Sequence, residues 1–428
     1  MKKLKTIWIT AIMSMLTLPA VAQLTLDECQ QLARENYPLL QKYDLIKQTA
    51  AYSIENINKG YLPQLSLSGQ ASYQSETTAL PDALKSMLAN SGYKGMEKDQ
   101  YRIALELNQV LWDGGNIKAQ KKVASANEKM QAAQTDVAMY DVRNRVNELF
   151  FGILLLEEKL QLNTELQTLL QNSFRKLETQ NAHGTAMKSD VNVIKAELLR
   201  AKQDRIALQS MRKSYLQMLA IFIGKEAESI DSLQKPVAAM PSVPKNQRPE
   251  LLLYATQMQQ TQAQNDLLKA ALYPKLSFFA QGFYGYPYYD MFDSMFNHNL
   301  KLGGIVGVRL SWNIGKLYTF KNEKRQLQLA QKQIKTSQEV FLFNNSLQAA
   351  QETETVHQYR EMMKADAEII QLLTAVRQAA EAQLEHGVID VNDLLREITK
   401  ENQARINHSA HEIEMLKSIY ELRNTINQ

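Results

Sequence analysis

The sequence predicts a mainly helical chain that contains two tandem copies of one unit: a helix, two β-strands and a long helical hairpin. Three observations support this fold class. The 428 residues include only 16 glycines and 10 prolines, too few for an all-β protein with frequent turns. The two halves share residues at a nearly constant spacing. Each half also contains two short segments in which apolar and polar residues alternate, as they do in strands.

The first 22 residues have the pattern of a signal peptide for export. A lysine-rich start precedes an apolar run at 7–18, and the small residues at 20–22 suit cleavage before Gln23. A membrane anchor is the alternative, but the run is shorter than the roughly 20 residues that cross a bilayer. Cys29 does not directly follow the cleavage site, so we expect no lipid anchor. As the only cysteine, it also excludes an intramolecular disulfide.

Composition and motifs argue against nucleic-acid binding and catalysis. Three lysines of the predicted leader supply most of the net charge of +4, so the rest of the chain has no basic field for nucleic acid. The sequence has no phosphate-binding loop, serine-nucleophile elbow, zinc-protease motif or CxxC pair, so we expect neither an enzyme nor a cofactor. His408 and His411 share a helix face without an evident third ligand. We therefore expect an exposed polar face there and no metal site.

The internal duplication extends over almost the whole chain. Matched residues lie between 200 and 211 positions apart, as in the pairs Pro38 and Pro249, Pro63 and Pro274, Trp112 and Trp312, His183 and His386, and Asp190 and Asp393. Because the spacing drifts so little, chance is a poor explanation. We expect a signal peptide at 1–22, a first repeat at 23–223, a proline-containing linker at 224–246 and a second repeat at 247–428.

Four segments show the alternation of strands with one apolar and one polar face, at about 64–74, 101–112, 275–285 and 300–312. Such strands, near ten residues long, suit a transmembrane β-barrel with lipid outside and water inside. Four strands are too few to close a barrel, so several copies of the chain are needed. A soluble sandwich is the alternative, but long helical stretches separate the two strand pairs. In the last strand the apolar positions are displaced by one relative to 101–112, which predicts a slip or bulge.

Aromatic residues cluster after the third strand, between Phe283 and Phe296. Their position suits an interfacial girdle of a membrane barrel. A packed loop core is the alternative.

Two long helical hairpins are predicted at 115–223 and 315–427. The first helix of each lacks proline over nearly 70 residues, which corresponds to about 100 Å of helix. Residues 123–154 follow heptad spacing with several small or polar seam positions, which suits helices arranged side by side on a cylinder. An ordinary antiparallel coiled coil remains the alternative. Each hairpin reverses at a His-Gly pair, where glycine supplies a left-handed helix cap.

With these features the sequence resembles the TolC-like outer-membrane efflux protein family. The resemblance covers essentially the whole mature chain and includes a Trp-x-x-Gly turn at 112–115 and 312–315. It implies a homotrimer in which twelve strands form one outer-membrane β-barrel, continued by an α-barrel across the periplasm. It also implies a passive exit duct that a periplasmic adaptor couples to an inner-membrane pump of the RND, ABC or MFS type. The rival hypothesis is a periplasmic helical scaffold or adaptor that forms no channel.

The resemblance also suggests which residues form the pore constriction and the adaptor contacts. Asp393 stands where the family places a pore-lining aspartate, and Asp190 is its counterpart in the first repeat. Both could instead be early helix residues favoured by the helix dipole. Arg396 occupies the place of a second aspartate and can pair with Asp393, while Leu384 and Ile389 replace polar gate partners found in some members. The expected adaptor contacts are the hairpin tips, at His183, Gly184, His386 and Gly387.

Overall fold

The computed structural model describes residues 23–88, 90–230, 232–237, 239–241 and 246–427. The predicted signal peptide at 1–22 lies outside these residues, as does the segment 242–245 of the predicted linker.

The first half of the chain has the predicted order of a helical segment, two strands and a helical hairpin. Its elements are α1 (Leu26–Asn36), α2 (Gln41–Asn58), β1 (Gln64–Tyr73), α3 (Asp82–Met87), β2 (Asp99–Trp112), α4 (Asn116–Ala182) and α5 (Lys188–Ile223). A 3₁₀ turn at Pro38–Leu40 separates α1 from α2. Because proline lacks the backbone N–H that a helix interior requires, the helix ends before it and a new one begins.

The second half repeats this order. Its elements are α6 (Pro249–Ala270), β3 (Lys275–Tyr286), α7 (Met291–Phe296), β4 (Lys301–Ser311), α8 (Lys316–Glu385) and α9 (Val391–Ile426). Among the helices that the structure describes, none combines the length and the apolar character needed to cross a membrane.

The four strands form one antiparallel sheet in the order β1-β2-β3-β4. The register between β2 and β3 shifts between Val110 and Trp112, so Leu111 is an extra residue in β2. This bulge confirms the predicted one-residue slip. Because of the extra residue, Trp112 lies on the apolar face of the sheet. The residues of β4 that lie on this face have even numbers too, which accounts for the displacement seen at the 200-residue spacing.

The chain divides into two compact units. Among the described residues, one comprises those from Gln23 to Tyr43 together with those within 134–252 and 338–427, and the other comprises those within 44–133 and 253–337. The second unit contains the entire sheet. The first contains both hairpin reversals and a core in which α1, α4, α5 and α9 pack against one another.

Aromatic and aliphatic side chains fill the core of the first unit. Phe150 and Phe151 of α4 are fully buried against Leu219 of α5 and Ile413 of α9. Cys29 of α1 lies in the same core with no exposed surface, and this burial raises the pKa of its thiol to about 12. The thiol is therefore a packing group rather than a reactive one.

The aromatic segment after β3 divides between the two alternatives that the sequence left open. Tyr286 and Tyr288 are buried, and the Tyr286 hydroxyl donates a hydrogen bond of 3.0 Å to the backbone carbonyl of Ser294. These residues form a packed loop core. Tyr284 and Phe292 remain exposed, as a girdle at an interface requires.

Candidate functional site

One face of the sheet is apolar across all four strands. Because side chains alternate along a strand, the register places the following residues on this face: Leu65, Leu67, Tyr101, Ile103, Leu105, Leu276, Phe278, Tyr284, Leu302, Val306, Val308 and Leu310. Many of these side chains are open to the surroundings, with Leu67 exposed by 74% and Leu302 by 84%. An apolar surface of this extent marks contact with lipid or with another protein.

The opposite face of the sheet is mostly polar. It carries the serine and glutamine side chains of β1, and it carries charged groups on β2 and β4. Arg102 donates a hydrogen bond of 3.2 Å to Gln281, and Arg309 lies 3.8 Å from Glu106. These cross-strand contacts keep the charged groups close to the sheet.

Both outer strands of the sheet have a free edge within the part of the chain that the structure describes. In the order β1-β2-β3-β4, β1 pairs only with β2, and β4 pairs only with β3. The outer N–H and C=O groups of these two strands therefore have no partner strand among the described residues. Long edge strands with apolar side chains are strong candidates for pairing with another chain.

The first hairpin reversal lies between α4 and α5. Gly184 adopts a left-handed conformation, with φ 77°, and His183 beside it is exposed. Asp190 lies in the first turn of α5, where its carboxylate accepts a hydrogen bond of 3.3 Å from the backbone N–H of Met187. It also accepts one of 3.4 Å from the hydroxyl of Ser189. This carboxylate therefore caps its own helix.

The second hairpin reversal uses the equivalent residues differently. Gly387 has φ 68° and His386 is exposed, but the side chain of Asp390 caps α9 by accepting a hydrogen bond of 2.9 Å from the N–H of Asp393. The carboxylate of Asp393 is then available to accept a hydrogen bond of 2.9 Å from Arg396. The pairing of Asp393 with Arg396 that the sequence suggested is present.

The two reversals contact each other in the first unit. Lys176 of α4 forms an ion pair with Glu385 at the end of α8, and this ion pair lowers the pKa of the Glu385 carboxyl. Val391 of α9 is buried with Leu170 and Leu177 of α4. The side chains of Leu384 and Ile389 pack on the apolar cluster that contains Leu394.

A buried ionic network lies in the second hairpin, and the sequence did not predict it. The Glu401 side chain is only 6% exposed, and its carboxylate accepts hydrogen bonds from Arg377 of α8, from Thr374 at 2.8 Å and from Arg405 at 2.8 Å. Burial raises the pKa of this carboxyl, but the three hydrogen bonds outweigh it and hold the pKa below its usual value. Arg405 lies one turn after Glu401 on the same helix, which was the available sequence signal.

The prediction that His408 and His411 lie on an exposed polar face was wrong. Both are half-buried and face Asp366 of α8, whose Oδ2 lies 2.7 Å from His411 Nδ1 and 3.7 Å from His408 Nδ1. The ring of Tyr359 lies 5.8 Å from that of His411. A carboxylate on the neighbouring helix explains the burial, and the sequence spacing gave no sign of it. Across the described ranges, no group of three His, Cys, Asp or Glu residues could hold a metal ion.

Comparisons with known proteins place this geometry in context. The sequence model of the family described as "Outer membrane efflux protein" matches residues 30–225. A search among curated proteins finds no significant match. The fold is similar to that of solved outer-membrane channels at low sequence identity.

Three of these structures illustrate the similarity. The outer-membrane channel OprN is 14% identical, with a TM-score of 0.67 over 94% of this chain and 89% of that one. The CmeC outer membrane channel of Campylobacter jejuni is 14% identical, with a TM-score of 0.65 over 94% and 85%. The outer membrane protein VceC of Vibrio cholerae is 13% identical, with a TM-score of 0.64 over 94% of both chains.

Proposed function

We propose that the chain is a member of the outer membrane efflux protein family, whose sequence model matches residues 30–225, and that it is the trimeric exit duct of a tripartite efflux or type I-like secretion system. Members of this family are passive channels, so the chain is not an enzyme. The energy for transport comes from an inner-membrane pump of the RND, ABC or MFS type, and a periplasmic adaptor links that pump to the duct.

The amphipathic sheet with two free edges is the observation that carries this proposal. In a bilayer, each backbone polar group needs a partner, so an open sheet edge cannot face lipid. Pairing of β4 of one chain with β1 of the next would satisfy both edges. Three chains would then contribute twelve strands to one closed barrel, an even number within the known range. The apolar face would contact lipid and the polar face would line water.

The remaining parts of the chain take their proposed roles from this arrangement. Residues 1–22 direct export and are removed, and the mature protein carries no lipid. The first repeat at 23–223 and the second at 247–428 each contribute one helical hairpin to an α-barrel in the periplasm. The segment 224–246 links the two repeats beside the middle of that barrel.

The hairpin tips are the proposed periplasmic mouth of the duct. Asp393, Asp190 and Arg396 are the proposed constriction residues, because threefold symmetry would place equal charges at one level, where they act on passing ions. The glycine reversals at Gly184 and Gly387, with the exposed His183 and His386 beside them, are proposed to contact the adaptor. These contacts would join the duct to its pump.

A pair of adjacent substitutions on edge strand β1 tests the membrane assignment. Leu67 and Ser68 are both exposed but lie on opposite faces of the sheet. Leu67→Lys puts a charge on the apolar face, at a cost of about 2–4 kcal/mol in a bilayer, whereas Ser68→Lys puts it on the water-facing side. We expect the first variant to be lost from the outer-membrane fraction and the second to assemble as a trimer.

Fractionation of the unaltered protein provides the control and tests the rival function. A duct sediments with outer membranes and needs detergent for extraction, whereas a periplasmic scaffold is released in the aqueous fraction as a monomer. Equal behaviour of Leu67→Lys and Ser68→Lys, together with aqueous release, would overturn the proposed function in favour of the scaffold.

A further inference from the structure

Two arginines on the polar face of the sheet are stacked on phenylalanine rings of β3. The guanidinium carbon of Arg102 lies 3.9 Å from the centroid of the Phe283 ring, and that of Arg309 lies 4.6 Å from the centroid of Phe279. A guanidinium over an aromatic face is held by a cation–π interaction. Because the two rings are four residues apart on one strand, the two charges lie at different levels along the sheet.

Two glycines of β4 make room for these rings. Gly303 is paired with Phe283 in the sheet register, and Gly307 is paired with Phe279. A Cβ at Gly303 would come within 2.6 Å of the Phe283 ring, and one at Gly307 within 2.9 Å of the Phe279 ring. The rings therefore lie over the backbone of β4, and each arginine lies on its ring. This repeated arrangement of glycine, phenylalanine and arginine orders two side chains that are otherwise flexible.

The positive charge of this face is only partly neutralised by neighbouring acids. Among the strand residues, the polar face carries Arg102, Lys275, Lys301 and Arg309 against the single acid Glu106. Lys301 forms an ion pair with Asp293, but Glu106 is 3.8 Å from Arg309, at the long end of an ion pair. Nε of Arg102 is buried and has no hydrogen-bond partner. Arg102 and Arg309 are therefore fixed in place by their rings, and their charges are only partly compensated.

We propose that Arg102 and Arg309 form a two-level anion site that makes the β-sheet end of the conduit selective for anionic solutes. The inference rests on the proposed function, because the polar face acts on solutes only if it lines a closed barrel. In a trimer each arginine becomes a ring of three, and a ring of fixed charges in a narrow pore concentrates counter-ions. The matching substrate class is organic anions that carry carboxylate, sulfonate or phosphate groups.

Ion selectivity in planar lipid bilayers tests this assignment. The reversal potential of single channels is measured under a KCl gradient for the unaltered trimer and for Arg102→Gln/Arg309→Gln. We expect the ratio of chloride to potassium permeability to fall several-fold in the double variant. Glu106→Gln removes the one acid of the face and should raise the ratio. The matched control Lys85→Gln/Lys94→Gln removes two charges outside the strands, one half-buried and one exposed, and should leave the ratio close to that of the unaltered trimer.

The outcomes separate this inference from the proposed function. Absence of conductance steps for the unaltered protein would overturn the proposed duct function, and the anion site with it. Conducting channels whose permeability ratio is the same in Arg102→Gln/Arg309→Gln would overturn the anion site and leave the duct intact. If that double variant does not insert, Glu106→Gln decides, because a shift toward potassium or no shift contradicts the inference.

Discussion

The two helical hairpins occupy equivalent positions in the repeat but differ in the residues that pack at one equivalent level. In the first hairpin, Leu198 is buried with Leu170 and Ile194, and Phe174 packs against them. At a spacing of 203 residues, Leu198 corresponds to Glu401 and Phe174 corresponds to Arg377. An apolar contact in one copy is thus a buried ionic contact in the other.

This difference shows that one backbone arrangement tolerates two kinds of interior. Apolar packing is non-directional and does not depend on the protonation of a side chain. The Glu401 network depends on charge and on hydrogen-bond geometry, so it responds to pH and loses much when one partner is removed. The second hairpin is therefore the copy whose packing solution conditions can change.

The helix starts at the two tips differ in the same way. Met187 corresponds to Asp390, so the first tip has no capping side chain at that position and Asp190 supplies the cap instead. The second tip has the Asp390 cap, and Asp393 pairs with Arg396. The first repeat has Val193 in place of that arginine.

The largest expected effect is at Glu401. Glu401→Gln removes the carboxylate that Arg405 and Arg377 share, although Arg377 keeps its ion pair with Glu381, and we expect the free energy of local opening of α9 to fall by about 3 kcal/mol. Native-state hydrogen exchange of the segment 391–405 measures this change. The control is Glu397→Gln on the same helix, whose partner Lys400 is exposed, with an expected cost below about 1 kcal/mol. Equal losses in the two variants would show that burial of the network is unimportant.

Acidification should loosen the second hairpin before the first. The pKa of Glu401 is lowered in the folded protein, so its stabilising contribution is present above the ordinary carboxyl value of 4.5 and is lost as the pH falls through the folded value. Hydrogen exchange of 391–405 and of 188–201, each corrected for intrinsic exchange, should diverge as the pH is lowered below 4.5. Parallel loss of protection in both segments would contradict the comparison.

A smaller effect is expected at the helix caps. Asp390→Ala removes the N-cap side chain of α9 and should cost about 1 kcal/mol, seen as faster exchange in the first turn of that helix. Met187→Ala at the equivalent position should have little effect, because Asp190 already supplies the cap. A comparable loss in Met187→Ala would mean that Met187 has a capping or packing role of its own.

The smallest effect on stability is expected for the pair of Asp393 and Arg396. The two side chains are 42% and 62% exposed, so Arg396→Ala should change stability by less than about 1 kcal/mol. If Asp393 lines the proposed constriction, Asp393→Ala should change cation selectivity or conductance in planar bilayers although stability barely changes. Unaltered selectivity and conductance would show that Asp393 does not line the constriction.

Much of the fold could be predicted because the periodicity of neighbouring residues indicates its helices, strands and turns. The alternation in β1 to β4, the His-Gly reversals and the displaced parity that the Leu111 bulge explains are all properties of neighbouring residues. Pro38 matches Pro249 in the sequence, but that match did not predict the division into α1 and α2.

Side-chain contacts could be predicted only where the two residues are close in sequence. Arg396 lies three positions after Asp393, so their pairing follows from helix geometry. The partners of Glu401 and His411 come from α8, and periodicity does not specify how one helix is rotated against its neighbour. The prediction that His411 is exposed was therefore wrong, because His411 packs against the buried carboxylate of Asp366.

The single cysteine has a practical consequence for labelling. Since Cys29 is buried and its thiol stays protonated at neutral pH, maleimides and spin-label reagents should not react with it in the native protein. The native cysteine therefore does not need to be removed before labelling. One cysteine introduced at a hairpin tip or a strand edge would be the only thiol that reacts.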